Sequence, residues 1–430
     1  MSSSIRFLLT ILIALAILPG PAWSQDSSAA ADRELSDLVR RALAANPDLQ
    51  AGAARWRVYD NRIAAADSLD DPRLSLALAN YPVDTLSDSE TPMTGKVVRL
   101  TQNFPFPGKL AAKGEIARQQ AVWYRQAYRE SRLQLIRQVK EVWFTLYLQS
   151  RLLAVTEQSL DLLEDFITLS ETRYATGKGQ QAEILRAQLE RSALLERRLA
   201  LSQQRDTARA SLNTLVNRPP ETSVKLPVEL DPSPFPYSRE ELQEKAAAQR
   251  PLAGAYQGLL EQAAAQQKLA SLNSYPDFSL GAVYTFREEN RIDQGTDFAG
   301  LEFSVTLPIF REKRREAVSE AAQGENMVRH QLDNFLNETR FAIHDVFGRL
   351  EKNRQLLKLY KGGIIPQATQ SFEASVSGYQ VGRQPFTMLL DNLLDLYRYE
   401  NEYYRVLVDH ERNVVRLEAE AALTLDQWPE

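Results

Sequence analysis

Two short stretches alternate apolar and polar residues with a period of two, and both recur about 200 positions later. From Arg73, LSLALANY sets Leu74, Leu76 and Leu78 on one side and Ser75, Ala77 and Ala79 on the other. This predicts a strand over about 73–81 with an apolar face and a small, partly polar one. A second strand, over about 97–105, alternates less cleanly, with Val98 and Leu100 against Arg99 and Thr101. Strands over about 277–286 and 299–308 repeat the pattern, and in the last Leu301, Phe303, Val305 and Leu307 face away from Glu302, Ser304 and Thr306. The segments inside each pair, YPVDTLSDSETPMTGK and REENRIDQGTD, are polar and rich in turn residues, and they predict exposed loops.

Almost everything else carries helical period. Residues 47–69 are alanine-rich and stop at Asp70-Asp71-Pro72. Long helices are predicted over 109–174 and 311–378, the second containing Pro366. Val139, Leu146, Leu153 and Leu160 recur every seventh residue, as do Ile343, Leu350, Leu357 and Ile364. At 1.5 Å per residue such helices are roughly 100 Å long, and heptad spacing over that length predicts coiled-coil packing. Their partners, 179–217 and 384–424, are shorter. The helix before the strands of each half supplies the missing length if two short helices stack end to end against one long one.

The two halves correspond in detail. Pro47 and Pro251 stand 204 positions apart (251 − 47), as do Pro72 and Pro276, and each heptad residue of the first long helix has its counterpart at that offset. RYATGKG from Arg173 matches GYQVGRQ from Gly378 at 205 (378 − 173). A fixed order at a nearly constant offset predicts an internal duplication. The first repeat spans 25–217 and the second 239–430, each reading helix, strand, strand, long helix, glycine turn, helix. Residues 218–238, with six prolines, form the linker.

The N-terminus reads as a secretory signal over residues 1–24. Arg6 precedes the run FLLTILIALAIL, then a Pro-Gly-Pro break and Ala22-Trp23-Ser24. The run is too short to span a bilayer as a helix. The chain has no cysteine, so neither disulfides nor a cysteine-borne lipid anchor is expected. Its net charge of −5 offers no argument for nucleic acid as a partner. Beyond the leader no run of 18 apolar residues occurs, so a membrane crossing would have to use strands.

Proline removes a ladder donor at a strand end and is tolerated at a helix start, so Pro105, Pro107 and Pro308, with Gly108, mark junctions where sheet turns directly into helix. Four strands of this length can cross a bilayer when tilted, but a lipid-exposed sheet edge leaves backbone groups unpaired. Several chains must therefore close the wall. Two would give eight strands filled by side chains, whereas three would give twelve and a lumen. Glu302 and Ser304, on the face away from lipid, are expected to line it.

These features resemble the TolC-like outer-membrane efflux factors. The resemblance rests on Phe-Pro-x-Pro-Gly-Lys at Phe104–Lys109, Leu-Pro-Ile-Phe at Leu307–Phe310, and the Tyr-x-x-Gly turns at Tyr174–Gly177 and Tyr379–Gly382, set in the duplicated plan. The first motif is similar to the branch serving heavy-metal cation exporters of the resistance-nodulation-division type. The resemblance implies a mainly α fold with a membrane β-barrel, and a homotrimer whose four strands per chain close a twelve-stranded barrel in outer-membrane lipid. It further implies a coiled-coil helical tunnel through the periplasm, docked at its tip to a periplasmic adaptor (membrane fusion) protein and an inner-membrane resistance-nodulation-division pump. On this reading the docking turns carry Tyr174, Gly177, Lys178, Tyr379, Gly382 and Arg383. Some relatives have two acidic residues three apart after the second glycine turn; here those positions are Met388 and Asp391, so a tunnel constriction would rest on Asp391 alone.

No nucleophile elbow, phosphate loop, dinucleotide fingerprint or zinc signature occurs, so no enzyme and no cofactor is expected. His330, His344 and His410 are unpaired at ligand spacing, and no metal site is expected. The aromatics of YRYENEYY, Tyr397–Tyr404, have the spacing of helix packing. Two alternatives share the leader and heptads: a soluble periplasmic coiled-coil structural or adaptor protein, and a duct of the same family serving drug efflux or type I protein secretion.

Overall fold

A computed structural model describes residues 23–425, 427 and 428. The leader expected over 1–24 lies outside them except for its last two positions. In chain order the elements are α1 (Trp23–Ala45), α2 (Pro47–Ala66), β1 (Arg73–Ala79), β2 (Gly95–Phe104), α3 (Lys109–Ala175), α4 (Gln181–Leu215), α5 (Arg239–Gln249), α6 (Pro251–Leu272), β3 (Asp277–Phe286), β4 (Phe298–Thr306), α7 (Arg311–Leu359), a π-helical turn (Tyr360–Ile364), α8 (Ile365–Gln380) and α9 (Phe386–Glu420).

Two differences from the expected elements have local causes. Each half has two helices before its strands, because Pro47 and Pro251 each open a new helix at a position where the missing N–H is no loss. Asn46 seals the first break: its Oδ1 accepts from the Leu49 N–H at 3.1 Å while its Nδ2 donates to the Leu215 carbonyl at 3.0 Å. The second long helix, expected unbroken over 311–378, is interrupted. Pro366 cannot donate to an earlier carbonyl and crowds the preceding turn, and the chain accommodates it by widening one turn. The Ile365 N–H reaches back to the Tyr360 carbonyl, a five-residue step, across Gly362 and Gly363.

The chain divides into two compact units. One is formed by Gln50–Ser131 and Ala247–Thr339 and contains the sheet. Its strands lie in the order β1-β2-β3-β4, all antiparallel. Helix-to-helix packing in this unit uses small residues and rings: a Cβ on Gly258 would stand 3.1 Å from Val122, and Tyr59 stacks on Tyr124 at 3.7 Å.

The other unit holds the residues up to Leu49, with Arg132–Ala246 and Arg340 onward. The stripe Val139, Leu146, Leu153 and Leu160 is buried along α3, as are Ile343, Leu350 and Leu357 of α7. Ile364, the next heptad position, is only half-buried because the π turn shifts the register there. Leu163, Phe166 and Ile167 of α3, Leu194 of α4, Phe372 of α8 and Leu389 and Leu393 of α9 make one core.

Candidate functional site

The strand register decides what the sheet can face. Leu74 pairs with Leu100, Leu100 with Ala282 and Ala282 with Leu301, and the row Phe104–Phe278–Val305 shares that face. The opposite face carries Ser75–Arg99–Val283–Gly300, Thr101–Gly281–Glu302 and Asn103–Ser279–Ser304. Leu76 and Leu301 are 74% and 84% exposed. Lys96 and Gln102, the polar residues on the apolar face, sit toward the ends of β2, where Lys96 meets Asp88 and Glu288 and Gln102 donates to the Asp70 carbonyl. A continuous apolar face of this extent is not left in water by a monomer. Among the described residues β1 and β4 each pair with one strand only, leaving two open edges.

Glu302 and Ser304 lie on the polar face, and both are exposed. Arg99 bonds Glu302 at 3.1 Å over Gly281, where no side chain intervenes.

At the first junction the chain turns within four residues. Pro105 and Pro107 follow β2, Gly108 takes φ +94°, and α3 begins at Lys109. The anchor is Asp277, the first residue of β3: its Oδ1 accepts from the Phe106 N–H and from Lys109 Nζ, both at 2.7 Å, while Phe106 stacks on Tyr275 at 4.5 Å. At the second junction Pro308 lies between β4 and α7, and Arg314 donates to the Phe310 and Asn273 carbonyls, both at 2.9 Å.

In the helical unit, the two turns at the ends of α3 and α8 have one backbone design. Gly177 (φ +73°) donates to the Tyr174 carbonyl and Lys178 to that of Arg173; Gly382 (φ +74°) donates to Tyr379 and Arg383 to Gly378. Both are Schellman caps, which need a left-handed residue where glycine fits best. Arg173 joins them. Its Nη1 donates to the Tyr379 carbonyl at 2.9 Å and its Nη2 to the Lys178 carbonyl at 3.3 Å.

The paired tyrosines are not equivalent. Tyr379 is 1% exposed, and its hydroxyl meets Ser170 at 3.2 Å and Glu183 at 3.1 Å. Burial raises its pKa, Glu183 adding to the effect and Ser170 opposing it. Tyr174, 50% exposed, faces solvent with Lys178 and Arg383. Asp391 is exposed one turn into α9, and Met388 is exposed beside it.

Sequence reasoning missed Arg173. The available signal was the alignment of the two turns: Arg173 corresponds to Gly378 and Gly179 to Gln384. A Cβ on Gly179 would stand 3.1 Å from the Arg173 Cβ, and one on Gly378 would stand 2.8 Å from Gln384 Cγ. Each turn has room for one long side chain at this pair, and the two repeats place it on opposite members.

The linker over 218–238 is pinned to the helices. Glu411, buried on α9, accepts from the Ser233 N–H and hydroxyl, both at 2.7 Å. His410 Nε2 meets the Ser233 carbonyl at 3.1 Å, and Arg354 donates to the Phe235 carbonyl at 2.7 Å. His344 is exposed and contacts Arg239, while His330 is exposed elsewhere. Among the described residues no group of three or more His, Asp or Glu side chains could hold a metal ion, and no helix is long and apolar enough to cross a membrane.

Residues 38–218 match the sequence profile of the family described as "Outer membrane efflux protein". Over those residues the chain is similar to the outer membrane efflux proteins. It is 24% identical over 272 residues to the cobalt-zinc-cadmium resistance protein CzcC of Cupriavidus metallidurans, a match spanning 63% of each protein. It is 25% identical over 397 residues to the pyoverdine export outer membrane protein OpmQ of Pseudomonas aeruginosa, covering 85% of this chain and 80% of OpmQ. Among solved structures, the outer membrane protein VceC of Vibrio cholerae aligns over 90% of this chain and 96% of its own, with a TM-score of 0.77 at 18% identity, a likeness of fold.

Proposed function

We propose that the chain is the outer-membrane channel of a tripartite efflux system. The observation that carries this is the strand register: one face apolar but for Lys96 and Gln102, the other carrying Arg99, Thr101, Glu302 and Ser304, and two open edges that hydrocarbon would not tolerate. Three copies would pair those edges into a twelve-stranded barrel, its lumen lined by Glu302 and Ser304, with the helices continuing as a periplasmic tunnel. Tyr174, Gly177, Lys178, Gly382 and Arg383 would meet the adaptor, with Tyr379 supporting the turn from inside, and Asp391 would form the constriction. The inner-membrane pump would load the duct.

Heavy-metal cations are the cargo we infer, supported by the likeness to CzcC. Siderophore or drug export is the second reading, favoured by the longer match to OpmQ. Deleting the gene and measuring growth inhibition by zinc, cobalt, cadmium and a panel of antibiotics separates them. Metal hypersensitivity alone supports the first, antibiotic hypersensitivity the second, and neither outcome removes efflux as the role. Chemical crosslinking of outer-membrane fractions should stop at three copies; a soluble monomer would return the chain to the coiled-coil alternative.

A further inference from the structure

Beside the π-helical turn, within the helical unit, the chain encloses a pocket of about 540 Å³. Three of its lining residues are acidic: Glu229 and Asp231 come from the linker and Glu373 from α8. Among the lining residues Lys361 is the cation, its Nζ 3.5 Å from Asp231, so three carboxylates against one ammonium leave the lining at −2 (1 − 3), with Arg151 behind it on Tyr404. Three tyrosines also line it, Tyr147 of α3 and Tyr403 and Tyr404 of α9, the last two meeting edge to face at 5.3 Å.

Tyr147 points to a ligand independently of the charge. It is 0% exposed, and its hydroxyl has no hydrogen-bond partner among the described residues. Buried phenols normally find one. Burial pushes its pKa up; Arg151 opposes this, while Tyr404, Tyr403 and Glu229 add to it. One of the tyrosines already accepts a guanidinium from within the chain: Arg151 lies 4.8 Å from the Tyr404 ring and donates to its hydroxyl at 2.7 Å.

We propose that this pocket binds an organic cation, an ammonium or guanidinium group on a short aliphatic stem, seated between Glu229, Asp231 and Glu373 and the tyrosines, with the unpartnered Tyr147 oxygen accepting one of its N–H bonds. A phenol oxygen accepts from such a donor, carboxylates offset its charge, and Tyr403 offers a π-face. A bare divalent metal fits less well. It demands several oxygens at short range, and no three carboxylates of the described residues converge closely enough. A widened helical turn at the rim agrees with the frequent placement of π turns at functional sites. The cation can arrive as a free solute or on a Lys or Arg side chain of a second copy of this chain.

The test is calorimetric titration of the purified full-length chain in detergent with agmatine and putrescine, with propane sulfonate as the anionic control. Saturable binding of either cation is expected, weakened about tenfold or more by Glu373→Gln and by Tyr147→Phe, at unchanged helical content by circular dichroism. If neither free cation binds, but Glu373→Gln and Asp231→Asn lower the oligomeric fraction seen by light scattering, the group belongs to a neighbouring copy. The proposal is overturned if the substitutions change neither quantity, or if the sulfonate binds as tightly as agmatine.

Discussion

The guanidinium of Arg173 lies 4.6 Å from the ring of Tyr379 and donates to that residue's carbonyl, so a side chain at the end of α3 holds the turn that ends α8. Because the same guanidinium also bonds Lys178, both turns depend on one planar fork that lysine cannot imitate. Arg173→Lys and Arg173→Ala should each cost about 1.5–3 kcal/mol locally, the usual range for hydrogen bonds to charged groups. Amide exchange over 176–180 and 380–384 should then quicken at least about tenfold. Unchanged protection would mean that the turns stand without it.

The swapped volumes at these turns predict a compensation. Gly378→Gln alone forces two long side chains into one space and should destabilise by about 1–3 kcal/mol. Adding Gln384→Gly, which re-creates the order of the first turn, should recover most of the loss. A double-mutant cycle read by urea denaturation measures the coupling, and simple additivity would refute the shared space.

Gly177→Val and Gly382→Val place a β-branched residue at φ +73° and +74°. Each should cost about 1–3 kcal/mol from backbone strain. Chain assembly should survive, since neither glycine sits in the buried core, while adaptor crosslinking and efflux fall. Wild-type efflux with the substituted turns would remove them as the docking tips.

Leu76 and Ala77 are neighbours on opposite faces of β1. If the sheet closes the proposed barrel, Leu76→Arg puts a charge against lipid, costing about 2–4 kcal/mol at the midplane, whereas Ala77→Arg should be tolerated on the polar face. Yield of outer-membrane oligomer is the readout. Equal losses would contradict the assigned sidedness.

His410 is 1% exposed, and burial holds its pKa below the usual imidazole value, Arg354 adding to this and the Ser233 carbonyl opposing it. Glu411 lies 3.9 Å away, but both its oxygens are occupied by Ser233, so the desolvation of a charged ring prevails. The unfolded chain therefore takes up the proton first. The contribution of neutral His410 is complete above the unfolded value, about 6.5, and is lost as pH falls through the lower folded value. Thermal stability of the helical unit should drop on acidification from pH 7.5, and His410→Gln should flatten that pH dependence. An unaltered slope would assign it to other groups.

Alternation, heptads and proline placement act through near neighbours, so the local elements and the apolar side of each strand are legible along the chain. Leu74, Leu76 and Leu78 could be assigned to one face before any partner was known, and Pro105 and Pro308 marked where strands stop. Glycine at 177 and 382 likewise announced left-handed turns. The remaining features depend on groups far apart in the chain. That every apolar strand face falls on the same side follows from the register between β2 and β3, strands about 180 residues apart. That Tyr379 is buried while Tyr174 is exposed follows from Tyr379 packing into the core with Leu163, Phe386 and Leu389, and that the linker is pinned follows from Glu411 meeting Ser233. Periodicity encodes which way a side chain points, but not which distant backbone carbonyl or carboxylate it will find there.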